Sequence, residues 1–527
     1  MLDLNQLDAA VRHEGGVSRR LFLAYAASLL SIPWLGRFAS GRTSTPSFDA
    51  NPFAVGIASG DPSPSGMVLW TRLAPRPLEP GGGLGSQPVE VAWEIADDET
   101  MKDVVRRGKT LATSELAHSV HVEVDGLLPD RWYWYRFRCG EAESPVGRTR
   151  TMPAADAQPD KLVIAHASCQ HYEAGYYTAY EDMARHEIDL VFHLGDYIYE
   201  GRARDSGVRQ HIGPEITSLD DYRIRHALYK TDPLLQGMHA RCPWIVTWDD
   251  HEFNNNCAGD ICQHEDVSPV EFLKRRAAAY QAYYEMMPLR AASLPSGSNL
   301  QLYRKVAFGQ LSEFLVLDTR QYRTNQPNGD GLRRLNKAAL SSENSILGKS
   351  QRSWVEDSLA ASPATWNVLA QQVMMGMVDQ RPGEQRRYSM DQWCGYAHER
   401  MGLVGYMQER QVSNPIVLTG DIHTNWVNNL RVDDRNEAAP VVATEFVGTS
   451  ISSGSRKPNR RDVEILQAEN PCVQFYNAER GYVRSTITPG IWTTDFQVVD
   501  DATKSGGKVS TRASFVVEAG TPGAKPA

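Results

Sequence analysis

The stretch that most constrains the fold of this chain is residues 189–200, DLVFHLGDYIYE. Its apolar run at 190–194 is too short for a helix and rich in bulky residues, which is typical of a buried strand. The run ends at Gly195-Asp196, and Tyr199 follows three residues later. Ligands of open α/β sheets bind beyond the carboxyl ends of the strands, so this stretch predicts a functional edge. Taken alone, a Gly-Asp pair after a strand is more often a turn than a metal ligand.

Further strands and helices alternate from about residue 160 to residue 500. The strand-like runs are 161–167, 243–247, 302–306, 314–317, 366–370, 416–418 and 441–446. The helical patterns are 176–186, 271–287, 353–361 and 397–411. This alternation predicts a layered α/β domain over residues 160–500.

The preceding region, residues 50–152, has a β pattern instead. Its strand-like runs are 67–71, 89–95, 120–124 and 132–137, separated by turns rich in Gly and Pro. Such spacing predicts a small all-β sandwich of immunoglobulin or fibronectin type, with a packing or positioning role. Residues 501–527 are rich in Lys, Ser, Gly and Pro at both ends, and we expect them to fray as a C-terminal tail.

Residues 1–45 have the pattern of an export signal and linker. Arg19-Arg20 precedes an apolar run that ends near Ile32 and is too short to span a bilayer comfortably. An arginine pair in this position is typical of a twin-arginine signal. The pattern predicts a periplasmic or secreted protein that passes through the twin-arginine machinery and keeps no transmembrane anchor. The alternative is an amphipathic helix with a chance arginine pair.

Charge and cysteine content limit the function classes. The net charge of -9 argues against nucleic-acid binding as the main role. The chain has seven cysteines, an odd number, so at least one thiol is left over if the others pair. Cys257 and Cys262 are near enough in sequence to form a small disulfide loop, although the sequence leaves the connectivity open.

Asp, His and Cys residues follow four of the predicted strands. They are Cys169; Asp196 with Tyr199; Asp249, Asp250 and His251; and Asp421 with His423. Each aspartate alone fits a turn or a helix cap. Four such strand ends in one α/β domain predict side chains that converge on one edge and hold metal ions.

The chemistry of these side chains predicts two unlike metals. Cys169 and Tyr199 are anionic, polarizable donors suited to Fe(III), and the imidazole of His423 suits iron as well. Carboxylates such as Asp250 suit Ca²⁺ or Mg²⁺, and Asp196 can bridge two cations. Two cations about 3.5–4 Å apart can hold a hydroxide and clamp the oxygens of a phosphoryl group. The alternative for Cys169 is a small buried hydrophobic residue.

The motifs in which these residues lie resemble those of a known family. They are SCQ at 168–170, GDYIYE at 195–200, WDDHE at 248–252, LDTRQYR at 317–323, GDIHTNW at 420–426 and EFVGTS at 445–450. Together they resemble the PhoD-like alkaline phosphatases (phosphodiesterase/alkaline phosphatase D), relatives of the purple acid phosphatases within the metallophosphoesterases. The resemblance extends over essentially the whole chain, and it implies a β-sandwich core flanked by helices.

The resemblance also implies a role for each site residue. Iron would be held by Cys169, Asp196, Tyr199 and His423. Calcium would be held by Asp196, Asp250 and Asp421, with the side-chain amide of Gln371 or Gln372 as a further ligand. Catalysis would involve Asp196 and His251, which would contact phosphate or protonate the leaving oxygen. Arg320 and Arg323 would bind phosphate or hold the rim, or else would be surface arginines paired with Asp318 or others.

We therefore expect an exported metal-dependent phosphoesterase acting on small phosphoester substrates, on phosphomonoesters first and on phosphodiesters second. A metal-bridging hydroxide would attack phosphorus at a mixed Fe(3+)/Ca(2+) site without a covalent enzyme intermediate. One alternative is a phosphodiesterase of phospholipase D type. An alternative from another class is a non-catalytic exported binding protein with a vestigial site, which the intact set of candidate ligands argues against.

Overall fold

The computed structural model describes residues 47–527 except 265, 382, 384 and 455–458. The predicted twin-arginine signal and linker, residues 1–45, lie outside the described residues. Within the described residues, we find no helix with the length and apolar character needed to cross a membrane.

The N-terminal region folds as the predicted strand domain. Its strands are β1 (Ile57–Ser63), β2 (Gly66–Arg72), β3 (Val89–Ala96), β4 (Val104–Ala112), β5 (Ser119–Val124), β6 (Trp132–Cys139), β7 (Ala142–Glu143) and β8 (Gly147–Arg150). One layer contains β1, β2 and β5, the other contains β3, β4 and β6 to β8, and apolar side chains from both layers share one core. The first layer is continuous with a larger sheet, because β1 meets a later strand at Gly60 and Trp244.

The remaining strands build two large sheets and one separate two-stranded sheet. They are β9 (Leu162–Ala167), β10 (Leu190–Leu194), β11 (Trp244–Thr247), β12 (Arg304–Phe308), β13 (Ser312–Val316), β14 (Leu332–Arg333), β15 (Trp366–Ala370) and β16 (Tyr388–Ser389), followed by β17 (Pro415–Thr419), β18 (Asn425–Leu430), β19 (Ala443–Val447), β20 (Val473–Asn477), β21 (Gly481–Ile487), β22 (Ile491–Val499), β23 (Val509–Glu518) and β24 (Thr521–Pro526). One large sheet has the order β24-β23-β22-β21-β9-β10-β11-β1-β2-β5, and the other has the order β12-β13-β15-β17-β19-β18-β20. Strands β14 and β16 pair with each other in the separate two-stranded sheet. The two sheets face each other across an apolar core that includes Phe192, Phe314, Trp366, Ile416, Phe446 and Phe496.

Helices cover the outer faces of both sheets. They are α1 (Thr178–Met183), α2 (Leu219–Lys230), α3 (Pro233–His239), α4 (Pro269–Met286), α5 (Gly348–Ala361), α6 (Ala397–Glu409) and α7 (Arg460–Glu469). The first four pack mainly against the ten-stranded sheet, and α5 and α6 pack against the seven-stranded sheet. The four helices predicted from periodicity are confirmed with shifted ends. Helices α2, α3 and α7 were not predicted, although a capping box of Ser218 and Asp221 marks the start of α2.

The C-terminal residues are not the frayed tail that their composition suggested. Residues 509–526 form β23 and β24, and Phe515 and Val517 bury their side chains in the core between the sheets. The Lys-, Ser- and Gly-rich residues lie mainly in the turn before β23. All seven cysteines are free thiols, so the Cys257–Cys262 disulfide considered above is not formed.

Lys230, the last residue of α2, is buried beneath the loop that follows β10. Its Nζ lies 4.4 Å from the ring centroid of Trp70 and 5.1 Å from that of Tyr197, and no described carboxylate pairs with it. Burial lowers the pKa of Lys230 from 10.5 to about 7. The buried imidazoles of His193, His226 and His239 surround it, and burial lowers the pKa of each, so they stay neutral above pH 7.

Replacing this lysine by methionine should stabilise the protein in a pH-dependent way. Between pH 10.5 and 7 the unfolded state binds a proton that the folded Lys230 does not, so the wild type loses stability as the pH falls. Lys230→Met removes this loss. Its advantage in free energy of unfolding should be near zero above pH 10.5 and reach the order of 4 kcal/mol at pH 7. Denaturant unfolding of both proteins across this pH range measures the difference in free energy of unfolding. A difference that does not change with pH would contradict the lowered pKa of Lys230.

Candidate metal centre

The predicted strand ends do meet, but they come from both sheets. Cys169, Asp196 and Asp250 follow β9, β10 and β11, which lie side by side as parallel neighbours in the ten-stranded sheet. Asp421 follows β17, in the middle of the seven-stranded sheet. Because the two sheets face each other, their strand ends open onto one common edge. The structure thus confirms the convergence and adds that the site spans both sheets.

The backbone at these strand ends is held in an unusual conformation. Cys169, Asp196, Asp421 and His423 have φ values of 58°, 55°, 64° and 57°, in the left-handed region that side-chain-bearing residues rarely occupy. Such conformations cost free energy and concentrate at functional sites. Gly195 also has a positive φ, and a Cβ there would lie 2.6 Å from the backbone nitrogen of Asp249. Only glycine therefore allows these two loops to approach so closely.

One half of the site contains the four residues predicted to hold iron. Ligand atoms of Cys169, Asp196 and His423 all lie within 4.8 Å of one another. The hydroxyl of Tyr199 donates to Asp196 Oδ2 at 2.8 Å and lies 3.1 Å from His423 Nε2. Ser453, absent from the predicted set, places its Oγ 2.7 Å from the Tyr199 hydroxyl.

The other half of the site is made of carboxylates. Ligand atoms of Asp249, Asp250 and Asp421 lie within 4.8 Å of one another, as do those of Asp196, Asp250 and His251. Asp196 therefore belongs to both halves. Its Oδ1, like Asp249 Oδ2, is buried without a hydrogen-bond partner in the described protein.

The carboxylates are too crowded and too buried to ionise together without added positive charge. Burial raises the pKa of Asp196 well above its usual value, and Asp250 and Asp249 raise it further, although His251 opposes them. Burial also raises the pKa of Asp421, to about 6. Unpaired buried carboxylate oxygens, a thiol and a phenol on one side and hard oxygens on the other form a donor set that fits bound cations.

His251 is oriented by Glu200, a residue that had no role in the sequence analysis. Its Nδ1 lies 2.7 Å from Glu200 Oε2, and 21% of the His251 side chain is exposed. Burial alone would lower the pKa of His251, but Glu200, Asp196 and Asp250 outweigh it and raise that pKa well above its usual value. The ring is therefore fixed through Nδ1, which leaves Nε2 free for a ligand.

Glu252 ties the strand-end loops together. Its carboxylate accepts hydrogen bonds from the backbone nitrogens of Asp196 at 3.1 Å, Tyr197 at 2.5 Å and Asp249 at 2.7 Å. The sequence analysis noted Glu252 only as part of the WDDHE motif. Its position among several acidic residues was the available signal, but the pattern did not distinguish a metal ligand from a residue that supports the backbone.

The structure buries Arg320 and Arg323, so the alternative that they are surface arginines is wrong. Arg320 is fully buried, with Nε 2.5 Å from Asp249 Oδ1 and Nη1 2.8 Å from Asp391 Oδ1. Arg323 Nη1 donates to the same Asp391 oxygen at 2.8 Å. Neither guanidinium group pairs with Asp318, which instead accepts a hydrogen bond from the Arg320 backbone nitrogen at 3.0 Å. Both guanidinium groups form ion pairs with buried aspartates, and Arg320 Nη2 also lies 3.8 Å from Asp250 Oδ2.

The side chain of Gln371 is fully hydrogen-bonded to neighbouring protein groups. Its Oε1 accepts from the Val373 nitrogen and from Trp393 Nε1, and its Nε2 donates to the Val373 carbonyl and to Thr419. All its hydrogen-bonding capacity is thus used within the protein. Gln372 is similarly bonded to Thr319, Thr247 and Leu317. Gln392, which was not predicted, does reach the site, with Nε2 3.4 Å from Asp421 Oδ2.

Comparison with known proteins yields a consistent set of relatives. Residues 164–496 match the family described as PhoD-like phosphatase, and residues 39–153 match its N-terminal domain. The chain is 48% identical over 479 residues to alkaline phosphatase D of Bacillus subtilis (strain 168), covering 90% of this chain and 82% of that protein. It is also similar to a solved structure titled "Structure of PhoD", with a TM-score of 0.89 and 47% identity over 91% of this chain and 93% of the other.

Removing the buried guanidinium of Arg320 should destabilise the protein strongly. Arg320→Met leaves Asp249 and Asp391 without their shared partner, and breaking a buried ion pair from one side costs about 3–5 kcal/mol. Arg435→Met is a matched control, because Arg435 pairs with Asp433 at the partly exposed surface and should cost less than about 1 kcal/mol. Denaturant unfolding at pH 7 measures both. Equal costs for the two variants would contradict the role given to Arg320.

Proposed function

This chain belongs to the PhoD-like phosphatase family and is a phosphoric ester hydrolase, and we propose that it works with one iron and one calcium ion. The family resemblance derived from the sequence motifs is confirmed. The identities of the metals and the assignment of each ligand are our proposal. The observation that supports it most directly is the position of Asp196, which belongs to both ligand groups and keeps one buried oxygen free.

The donor atoms divide the site into two unlike halves. In the proposal, iron is held by Cys169, Asp196, Tyr199 and His423, and calcium by Asp196, Asp250 and Asp421. Two cations bound there would supply the charge that activates water for attack on phosphorus and neutralises the phosphoryl oxygens. The protein residues fix the donors in place: Glu252 anchors three backbone nitrogens, and Arg320 holds Asp249 from behind.

We assign His251 to the substrate side of the site. Glu200 engages its Nδ1, so its Nε2 can contact the phosphoryl group or donate a proton to the leaving oxygen. The contact with Glu200 also stabilises the protonated ring that such a donation requires. Glu200 is therefore a positioning residue for His251.

Small phosphoesters are the proposed substrates, with phosphomonoesters first and phosphodiesters second. A phospholipase D-type preference is the enzymatic alternative. Comparing the hydrolysis of an aryl monophosphate, a bis-aryl phosphate and a phospholipid separates them. We also propose that residues 1–45 direct export through the twin-arginine machinery, which makes the protein periplasmic or secreted.

Asp196→Asn should abolish both metal pairing and turnover. The variant loses the only negative charge assigned to both cations, so we expect less than about 1% of wild-type activity on an aryl phosphate and a loss of bound iron and calcium. Asp156→Asn, an exposed aspartate in the linker before β9, is the matched control and should keep both. Elemental analysis of the purified proteins, with activity before and after chelation, provides the measurement.

Two outcomes of that experiment would contradict the proposal. Full activity of Asp196→Asn would exclude a dinuclear site centred on this residue. Wild-type protein that carries neither metal and is unaffected by chelation would exclude metal-dependent hydrolysis by the assigned residues.

His251→Gln should separate leaving-group protonation from simple phosphate binding. An alkyl phosphate needs its leaving oxygen protonated, whereas p-nitrophenolate leaves readily without help. If His251 is the acid, kcat should fall by about 10²-fold or more on the alkyl phosphate and much less on p-nitrophenyl phosphate. An equal loss on both substrates would mean that His251 binds the phosphoryl group without protonating the leaving oxygen.

A further inference from the structure

The segment that follows β19 crosses from one large sheet to the other at the edge that carries the metal centre. Beyond β19, Ser450 forms an isolated parallel bridge with Ser168, the residue before Cys169. The Ile451 nitrogen donates to the Ser168 carbonyl at 3.0 Å. These bonds lead the chain directly past the strand end of β9. We call residues 450–454 the crossing segment.

The crossing segment contacts three of the four residues assigned to iron. Ser453 is buried, and its Oγ lies 2.7 Å from the Tyr199 hydroxyl and 2.7 Å from the Cys169 carbonyl oxygen. The Ser453 nitrogen donates to the same carbonyl at 3.2 Å. The next residue, Gly454, places its carbonyl oxygen 3.1 Å from His423 Nδ1. None of the hydrogen bonds found for Ser453 and Gly454 in the described part of the chain involves a carboxylate of the metal centre.

The contact with Gly454 determines which nitrogen of His423 faces the other ligands. A carbonyl oxygen can only accept, so His423 Nδ1 carries the hydrogen and Nε2 keeps its lone pair. Nε2 is also the nitrogen that lies 3.1 Å from the Tyr199 oxygen. A carbonyl that engages one imidazole nitrogen in this way orients the other nitrogen toward a metal. The crossing segment thus presents His423 Nε2 to the iron half of the site.

Ser453 fixes the position of the Tyr199 oxygen in a similar way. The Tyr199 hydroxyl donates to Asp196, so it can accept a hydrogen bond from Ser453 Oγ. The Tyr199 ring itself lies between the rings of His171 and His251, with centroid distances of 4.3 Å and 4.2 Å. The two imidazoles hold the ring, and Ser453 holds the oxygen.

The crossing segment is itself held on its far side. The Ser453 carbonyl accepts from Ser450 Oγ at 2.6 Å and from Arg480 Nε at 3.1 Å, which uses both of its lone pairs. Ser453 Oγ also accepts from the His171 nitrogen at 3.2 Å. Ser453 therefore cannot turn away from Tyr199 without breaking several buried hydrogen bonds.

We propose that Ser453 is a positioning residue for the iron half of the metal centre. It acts through the Tyr199 oxygen and the Cys169 carbonyl, and it holds both where they can serve an iron ion together with His423. Removing a partner of this kind typically lowers metal affinity by about 10–100-fold. This inference rests on the proposed function, because it takes these residues as iron ligands.

The matched variants Ser453→Ala and Ser452→Ala test this role. Ser452 is also buried, but its hydroxyl donates at 2.9 Å to the backbone carbonyl of His171, which is not a proposed ligand. The iron affinity of each purified protein is measured by titration against a competing chelator. Ser453→Ala should bind iron about 10–100-fold more weakly than the wild type, and Ser452→Ala should bind it like the wild type.

Light absorption by the iron-loaded proteins provides a readout that a merely structural role would not change. A tyrosine oxygen bound to iron(III) gives a charge-transfer band in the visible range. At full iron loading, this band should shift in Ser453→Ala and stay unchanged in Ser452→Ala. Calcium affinity at saturating iron should equal the wild-type value in both variants, because the crossing segment bonds to the iron half. Denaturant unfolding of the metal-free proteins should show similar small losses for the two variants, since each loses buried hydrogen bonds of one hydroxyl.

Two results would overturn this inference. They are equal iron affinities for the two variants and an unshifted band in Ser453→Ala at full iron loading. Failure of the proposed function has a different signature, because the wild type would then bind no iron and show no such band. That result would reject the iron assignment together with the role of Ser453. Iron binding by the wild type, with no difference between Ser453→Ala and Ser452→Ala, would reject the role of Ser453 alone.

Discussion

The burial of several carboxylates at one place is the constraint on which the rest of the structure depends. Ligand atoms of Asp250 lie within 4.8 Å of those of Asp196 and of those of Asp249 and Asp421, and all of these residues except the partly exposed Asp421 are buried. Arg320 supplies one positive charge from behind, and this is too little to keep all four ionised. The unsatisfied oxygens of Asp196 and Asp249 show where positive charge is missing. Bound cations would supply that charge at the same positions where a phosphoryl group needs positive charge. The crowding of buried carboxylates therefore explains both why the site without bound cations is unfavourable and how the site would bind metal ions for catalysis.

The two-sheet architecture makes this crowding possible. Neighbouring parallel strands bring three of the loops together, and the facing sheet brings the fourth, so all four loops are held by strands with buried side chains. The left-handed backbone at Cys169, Asp196 and Asp421 then turns the side chains inward at a conformational cost. Glu252 offsets part of this cost by accepting three backbone hydrogen bonds from the same loops. The rigid scaffold thus holds a strained and highly charged site that could not form on a mobile loop.

The grouping of the candidate metal ligands could be predicted from the sequence because its signal is local. At Asp196 and at Asp421, the sequence shows a short apolar run followed closely by an aspartate. Because neighbouring parallel strands end at the same edge of a sheet, such residues are expected to converge. Side-chain contacts between residues far apart in the sequence could not be predicted in this way. The sequence could not show that Asp391 lies beside Arg320, or that Trp393 and Thr419 use up the amide of Gln371. The strands near the C-terminus were missed because the polar composition of the turns obscured the buried alternation at Phe515 and Val517.

Diffraction from crystals of the metal-loaded protein is the most direct test of whether two unlike metals share Asp196. Data collected on both sides of the iron absorption edge would locate iron and distinguish it from calcium at each position. The account predicts one anomalous peak that responds to the iron edge beside Cys169, Tyr199 and His423. It predicts a second peak, insensitive to that edge, between Asp250 and Asp421, with Asp196 contacting both. A single metal position, or the same element at both, would contradict the account.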